Sequence, residues 1–297
     1  MTSTVPLTQR ICKSFNAQAA TYEKAAVIQH AIGKRLFERL SYFKIKPRYI
    51  LDLGCGSGSF SACLQAHYPT ACVVGLDVAY QMLHQARLKE TAVSNWVNGD
   101  MGCLPFASGM FDLVFANQVL HWTDSLPLLF RELSRVMNVD GCLMFSTLGV
   151  DTFQEIKQSW AKVDQHAHVN AFMDMHDIGD CLLSEQWLDP VVDMESITAH
   201  YGSLSQLLLA LKKQGVRNVH PARPQGLTGK KAWQAFEQAM ALHMTAEGKY
   251  PLSYEVIYGH AWKGNTHRVK DGTETYVSVS SMTPYEPASC SEPGRDD

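Results

Sequence analysis

The chain has 297 residues, is 46% hydrophobic and carries a formal net charge of −3. That length fits one enlarged domain or two small ones, with enough apolar side chains for a packed core. The slightly acidic balance argues against a nucleic-acid partner. No apolar run approaches the roughly 20 residues of a membrane span, and none follows a basic start as in a secretory signal. Eight cysteines contain no C-x-x-C pair. Cys55, Cys63, Cys72, Cys103 and Cys142 fall among core-like residues, which predicts reduced, buried thiols of a cytoplasmic protein rather than a disulfide or zinc framework.

Residues 8–20 and 22–43 read as helices; Ala25, Ala26, Ile28, Gln29, Ile32, Leu36 and Leu40 give the second a helical stripe. After Pro47, an apolar strand at 49–53 runs into Gly54-Cys55-Gly56-Ser57-Gly58, and a helix near 59–67 follows, closed by Pro69. Without a Cβ, such glycines let backbone approach a ligand closely and tolerate positive φ. A dinucleotide fingerprint wants G-x-G-x-x-G/A, but its third slot here is Ser59. The spacing G-x-G-x-G instead resembles motif I of the class I methyltransferases, which bind S-adenosylmethionine (SAM). SAM has no phosphate, so the loop only has to let its methionine part lie against backbone.

Further strands are expected at 72–77, 96–97, 112–117 and 143–147, with helices at 79–89 and 125–137 and a tight turn at Asp140-Gly141. Strands alternating with helices imply a doubly wound, mostly parallel α/β sheet with right-handed crossovers. Beyond 150 the rhythm changes. Helices at 151–163 and 176–184 precede a strand at 193–201, helices at 204–213 and 229–245 flank a Gly/Pro-rich loop, and 252–262 alternates as a last strand. Residues 263–297 are polar and proline-bearing, which predicts a disordered tail.

Ligands of open α/β sheets sit at the carboxyl ends of the strands. Asp52, Asp77, Asp100 and Asn117 all fall there. With Gly54, Gly56 and Gly58 they form a SAM-binding constellation. Asp77 would accept the ribose hydroxyls. In similar methyltransferases the Asp at position 100 takes the adenine amino group, with Met101 beside it. Asn117 sits where the cofactor's amino-acid part passes.

The flanks narrow the resemblance. Phe15-Asn16-Ala17-Gln18-Ala19-Ala20-Thr21-Tyr22, Leu104-Pro105-Phe106, Asn117-Gln118-Val119-Leu120-His121-Trp122 and Pro251-Leu252-Ser253-Tyr254-Glu255-Val256 are similar to stretches of the malonyl-thioester O-methyltransferases of biotin synthesis (the BioC family). So are Trp160, His168-Val169-Asn170, Leu211-Lys212 with Gly215, and Arg223 with Gly226-Leu227-Thr228. Val216 departs from that family's usual Ala. The resemblance spans 8–262. It implies one methyltransferase domain over 1–262: a helical lid at 8–43, a core at 48–148 and lid or substrate helices at 151–190 and 203–250, with an antiparallel last strand.

It also implies the reaction: methylation of the free carboxylate of malonyl-acyl carrier protein, or malonyl-CoA, so that elongation towards pimelate can proceed. A carboxylate is already ionised at pH 7, so no strong general base is required. Candidates for gripping it are Tyr22, His121, Lys212 and Arg223. Asp164, His166 and His168 lack a third ligand at zinc spacing, so no metal is expected; His168 and Asn170 are expected to line or brace the lid. No Asp or Glu occurs from 196 to 236, where Lys212, Lys213, Arg217, Arg223, Lys230 and Lys231 lie. That stretch is a candidate docking surface for an acidic carrier protein. Two other readings remain open at this point: a methyltransferase for another small acid or a quinone-type ring, and a non-catalytic SAM-binding factor.

Overall fold

The structure, a computed structural model, describes residues 6–89, 92–93, 95–216, 218–220, 223–224 and 226–264. Two helices, α1 (Leu7–Ala25) and α2 (Val27–Glu38), lead into the α/β core. There β1 (Tyr49–Leu53), α3 (Ser59–His67), β2 (Cys72–Asp77), α4 (Tyr80–Arg87) and β3 (Asn95–Asn98) build one half of the sheet. β4 (Phe111–Asn117), α5 (Leu126–Val136) and β5 (Met137–Leu148) build the other. Then come α6 (Gln154–Ala161), α7 (Met175–Ser184), β6 (Trp187–Tyr201), α8 (Leu204–Lys213), α9 (Lys230–Ala241) and β7 (Tyr250–Lys263).

The seven strands pair in the order β3-β2-β1-β4-β5-β7-β6. β1 to β5 are mutually parallel, and β7 runs antiparallel to both β5 and β6. This is the doubly wound, mostly parallel sheet that the alternating pattern predicts, with the antiparallel last strand that the resemblance implies.

Strand alternation creates two apolar layers, because successive side chains point to opposite faces. On one face Ile50, Leu113, Phe115 and Met144 pack with Ile32 and Leu36 of α2, Leu64 of α3 and Phe236 of α9. On the other, Leu51, Leu53, Val114 and Phe145 pack with Leu129, Phe130 and Leu133 of α5 and Leu182 of α7. Strands covered on both faces read as continuous apolar runs, which is why 49–53 and 112–117 are so plain in the sequence.

Four expectations shift. The break between the first two helices falls at Ala26 (φ −81°, ψ 37°), not near Thr21. Neither position carries a local stop signal, so tertiary packing of the buried Ala26 decides it. The turn at Asp140-Gly141 lies inside β5 as an irregularity: Phe111 pairs with Met137 but Leu113 with Cys142, and Asp140 adopts φ 62°. β6 starts at Trp187 rather than 193, because Asp189 (φ 46°) and Pro190 interrupt its alternation without ending its pairing with β7. Finally, of the five cysteines expected to be buried only Cys142 is: Cys55 and Cys72 are half-buried, and Cys63 and Cys103 are exposed. Cys63 lies on α3 away from the buried Ser61 and Leu64, and Cys103 sits in the turn after β3.

The expected tail is outside the described residues beyond Gly264, and Lys263 still belongs to β7. Among the described residues no helix is long and apolar enough to cross a membrane.

Candidate functional site

The strand order reverses between β1 and β4, which leaves a crevice at their carboxyl ends. A cavity of about 260 Å³ occupies it. The glycine turn after β1 and the ends of β2 and β4 form its floor. Thr8, Ile11, Phe15 and Tyr22 of α1 form its roof, at spacings that put them on one helix face.

The turn is built around two carboxylates. Gly54, Gly56 and Gly58 all have positive φ, at 66°, 54° and 77°. Gly54 and Gly56 line the cavity, whereas Gly58 caps α3 against Trp96, where a Cβ would come within 2.5 Å of the indole. A Cβ on Gly56 would meet only the Tyr22 ring, at 3.8 Å, so backbone is bare towards the cavity there. Gly56 N–H donates to Asp77 Oδ2 at 2.9 Å, and Ala79 N–H donates to Asp77 Oδ1 at 2.7 Å. Burial nevertheless pushes the Asp77 pKa up to about 6. Asp52 does not line the cavity. It is buried beneath the turn, accepts from Ser61 Oγ at 2.5 Å, and burial raises its pKa to about 7.

From above, Glu23 on α1 latches the roof to the turn. Its carboxylate accepts hydrogen bonds from Ser57 Oγ and, at 2.7 Å, from Ser59 Oγ, and pairs with Lys89 at 3.0 Å. Burial alone would raise its pKa, but those bonds outweigh it and hold the carboxyl below its ordinary value. The latch fixes the neighbouring Tyr22 over Gly56. Burial, with Asp77 and Glu23 close by, pushes the Tyr22 hydroxyl well above its usual range, so it stays a donor.

Asp100 and Met101 line one end of the cavity. Asp100 accepts from Thr8 Oγ1 at 3.0 Å and Gly102 N–H at 2.8 Å. Asn117 lines the middle, donating to Gln29 O at 3.2 Å and accepting from Ser146 Oγ at 2.8 Å. Beside it are two cavity-lining groups that the sequence reading missed. Gln29 Oε1 and Gln118 Nε2 are buried with no hydrogen-bond partner. Gln118 also adopts φ 60°, a strained value for a non-glycine residue at a site.

The inner end is walled by Trp122, Phe153, Val216 and Tyr254. His121 lines it, with Nδ1 3.2 Å from Thr147 Oγ1 and its ring against Trp122 and Phe172. Burial pushes its pKa down to about 3, so it is neutral at physiological pH. Lys212 and Arg223 do not line the cavity: Lys212 is exposed in the last turn of α8, and Arg223 is half-buried in the segment that follows. Braces hold that segment. Asn170 Oδ1 accepts from Val219 N–H at 2.8 Å, and His168 pairs with Asp164 at 2.9 Å while stacking on Trp160 at 3.7 Å.

Residues 51–145 match the family model described as a methyltransferase domain. A malonyl-(acyl-carrier protein) O-methyltransferase of Legionella pneumophila is 57% identical over 272 residues, covering 91% of this chain and 96% of its own. One from Gallionella capsiferriformans is 38% identical, covering 88% and 92%. The chain belongs to the malonyl-(acyl-carrier protein) O-methyltransferase family. The fold is shared more widely. The YcgJ protein of Bacillus subtilis superposes with a TM-score of 0.56 at 14% identity, covering 78% of this chain and 99% of its own. A phosphoethanolamine N-methyltransferase of Haemonchus contortus superposes with a TM-score of 0.54 at 13% identity, covering 89% and 62%.

The enzyme is a SAM-dependent methyltransferase, and its cavity fits that cofactor. The bare backbone at Gly56 provides the cradle, and the partnerless acceptor of Gln29 and donor of Gln118 suit an amino-acid head group, which carries both an ammonium and a carboxylate. Among the described residues, no cluster of three or more metal-ligating side chains occurs.

Two outcomes follow from the carboxylates. Asp77 loses an acceptor when it protonates, so calorimetric affinity for S-adenosylhomocysteine should rise from pH 5 to 7.5, through about 6, and level off above. Asp77→Asn should weaken binding at pH 8 and flatten that profile. Glu23→Gln cannot hold Lys89 and both serines, so release of S-adenosylhomocysteine in stopped flow should accelerate by about ten-fold, the scale of one hydrogen bond to a charged group. An unchanged release rate would mean that α1 does not gate the cavity.

Proposed function

We propose that the enzyme methylates the free carboxylate of a malonyl thioester, carried by acyl carrier protein or coenzyme A, to give the methyl ester. When bound, SAM supplies an activated methyl group. The chain's residues have to hold the acceptor oxygen against it, exclude water and leave the reacting charge unscreened. The observation that carries this reading is the make-up of the inner end, where the half-buried His121 and the buried Tyr254 line the cavity. Burial pushes the His121 pKa down to about 3 and keeps the Tyr254 hydroxyl protonated. Neither side chain is suited to take a proton at neutral pH. Esterifying an ionised carboxylate moves no proton, whereas methylating a ring carbon or catechol calls for a base. The near full-length similarity to relatives named for malonyl-carrier-protein methylation supports the same choice of acceptor.

The carrier protein would dock on the acid-free stretch. Lys212, Lys213, Lys230 and Lys231 are all exposed, and Leu227 is fully so. Acyl carrier proteins are acidic, so this surface would steer them by charge. The reaction would run in the cytoplasm, where exposed thiols such as Cys63 and Cys103 stay reduced.

Mass spectrometry of malonyl-acyl carrier protein incubated with enzyme and SAM should show the gain of one methyl group on the malonyl unit, lost with Asp77→Ala. No gain, with S-adenosylhomocysteine still bound, would move the assignment to another acceptor. Reversing Lys212, Lys213 and Lys230 to Glu should cut kcat/KM on the carrier-protein substrate by more than about ten-fold while sparing malonyl-CoA; equal losses on both would remove the docking surface.

A further inference from the structure

The inner wall of the cavity holds polar groups that nothing so far has used. Tyr254 on β7 is 1% exposed and lines the cavity. Its hydroxyl faces Tyr201 and Gln214 without a well-formed hydrogen bond to either. Gln214 follows α8 directly, is 3% exposed and lines the same cavity. Gln29 Nε2 donates to its Oε1 at 3.3 Å, so the NH₂ is what this amide has left to offer. A buried hydroxyl without a partner is destabilising unless something else satisfies it, so it marks a place where a partner binds.

The surrounding backbone is arranged to hold this wall. Phe153 adopts φ 59°, rare for a bulky residue, and its N–H donates to Ser253 O at 2.7 Å. Two buried glutamates strap the turn to β7. Glu155 accepts from Ser253 N–H and Oγ, and Glu255 accepts from Asp151 N–H at 2.6 Å. The result sets the Phe153 ring edge-on to Tyr254, with centroids 5.0 Å apart. Backbone strain concentrated beside one cavity wall is a signature of a functional position.

Two neutral donors in an enclosed aromatic chamber suit the oxygens of a small carboxylate at the tip of a chain. A full positive charge would hold that carboxylate most tightly before reaction, when its charge is greatest, and so would retard methyl transfer. A phenol and an amide orient it with less of that penalty. Building on the carboxylate-methylation reading, we propose that the Tyr254 hydroxyl and the Gln214 amide hold the acceptor carboxylate, with Gln29 fixing the amide's orientation.

Malonyl-CoA and acetyl-CoA differ by that carboxylate alone. Their affinities are measured by calorimetry with S-adenosylhomocysteine present, for wild type, Tyr254→Phe and Gln214→Glu. Gln214→Glu keeps the acceptor towards Gln29 and replaces the donor by an oxygen, so it also serves if the change at Tyr254 unfolds the chain. Wild type should prefer malonyl-CoA. Each variant should lose about ten-fold or more of that preference, the scale of a hydrogen bond to a charged group, with acetyl-CoA binding and thermal midpoint near wild type. KM for malonyl-CoA in methyl transfer should rise more than kcat falls. Folded variants that retain the full preference overturn this assignment alone. A wild type that binds the two thioesters equally and methylates neither overturns the underlying reading as well.

Discussion

The site depends on the five-residue turn after β1 being held by carboxylates from two sides. From below, Asp77 takes the Gly56 and Ala79 N–H groups. From above, Glu23 takes the Ser57 and Ser59 hydroxyls and the Lys89 ammonium. Three consecutive alternate glycines in left-handed conformation have a large entropy to lose. Charge-assisted hydrogen bonds, about twice as strong as neutral ones, offset that loss and leave Gly56 backbone bare towards the cavity. The same grip sets Tyr22 in place, because Glu23 is its neighbour in α1. Cofactor cradle and roof are therefore one mechanical unit.

Electrostatics divides the cavity. Its cofactor end carries Asp77 and Asp100, which accept hydrogen bonds from the chain's own N–H and hydroxyl groups. The inner end is kept neutral: His121 is desolvated out of its charged form, and the nearby phenols cannot ionise. In a low-dielectric chamber, a bound carboxylate and a sulfonium methyl donor then find their strongest complement in each other. A neutral histidine in this position is an environment, not a base.

The inner wall exists because β7 inserts antiparallel between β5 and β6. That pairing lays Tyr254 beside the strand-end crevice, although more than 130 residues separate it from Asn117. The buried Glu155 and Glu255 then tie the turn after β5 to β7, where Gly149 admits the Glu255 carboxylate at a distance that a Cβ would forbid. Buried carboxylates of this kind hold geometry only while every oxygen keeps its partners.

Much of this was legible in the chain alone. The parallel core, the glycine turn and the strand-end positions of Asp77, Asp100 and Asn117 are local patterns, since a strand end, a turn and a helix start are set by neighbouring residues. The helical stripe through Gln29 and the family-like stretch around Tyr254 were visible too, but not what those two side chains face. Lys212 and Arg223 show the converse: their charge suggested a carboxylate grip, yet helix phase and loop path leave both off the cavity wall. Gln214 and Glu23 carried no signal, and Gln118 stood in a family-like stretch without a role, because a glutamine or glutamate gains meaning only from what surrounds it. Sequence determined the frame through short-range periodicity and turn chemistry. Tertiary structure alone decided which distant polar groups share one enclosed space, because burial and partnership depend on contacts between elements far apart in the chain.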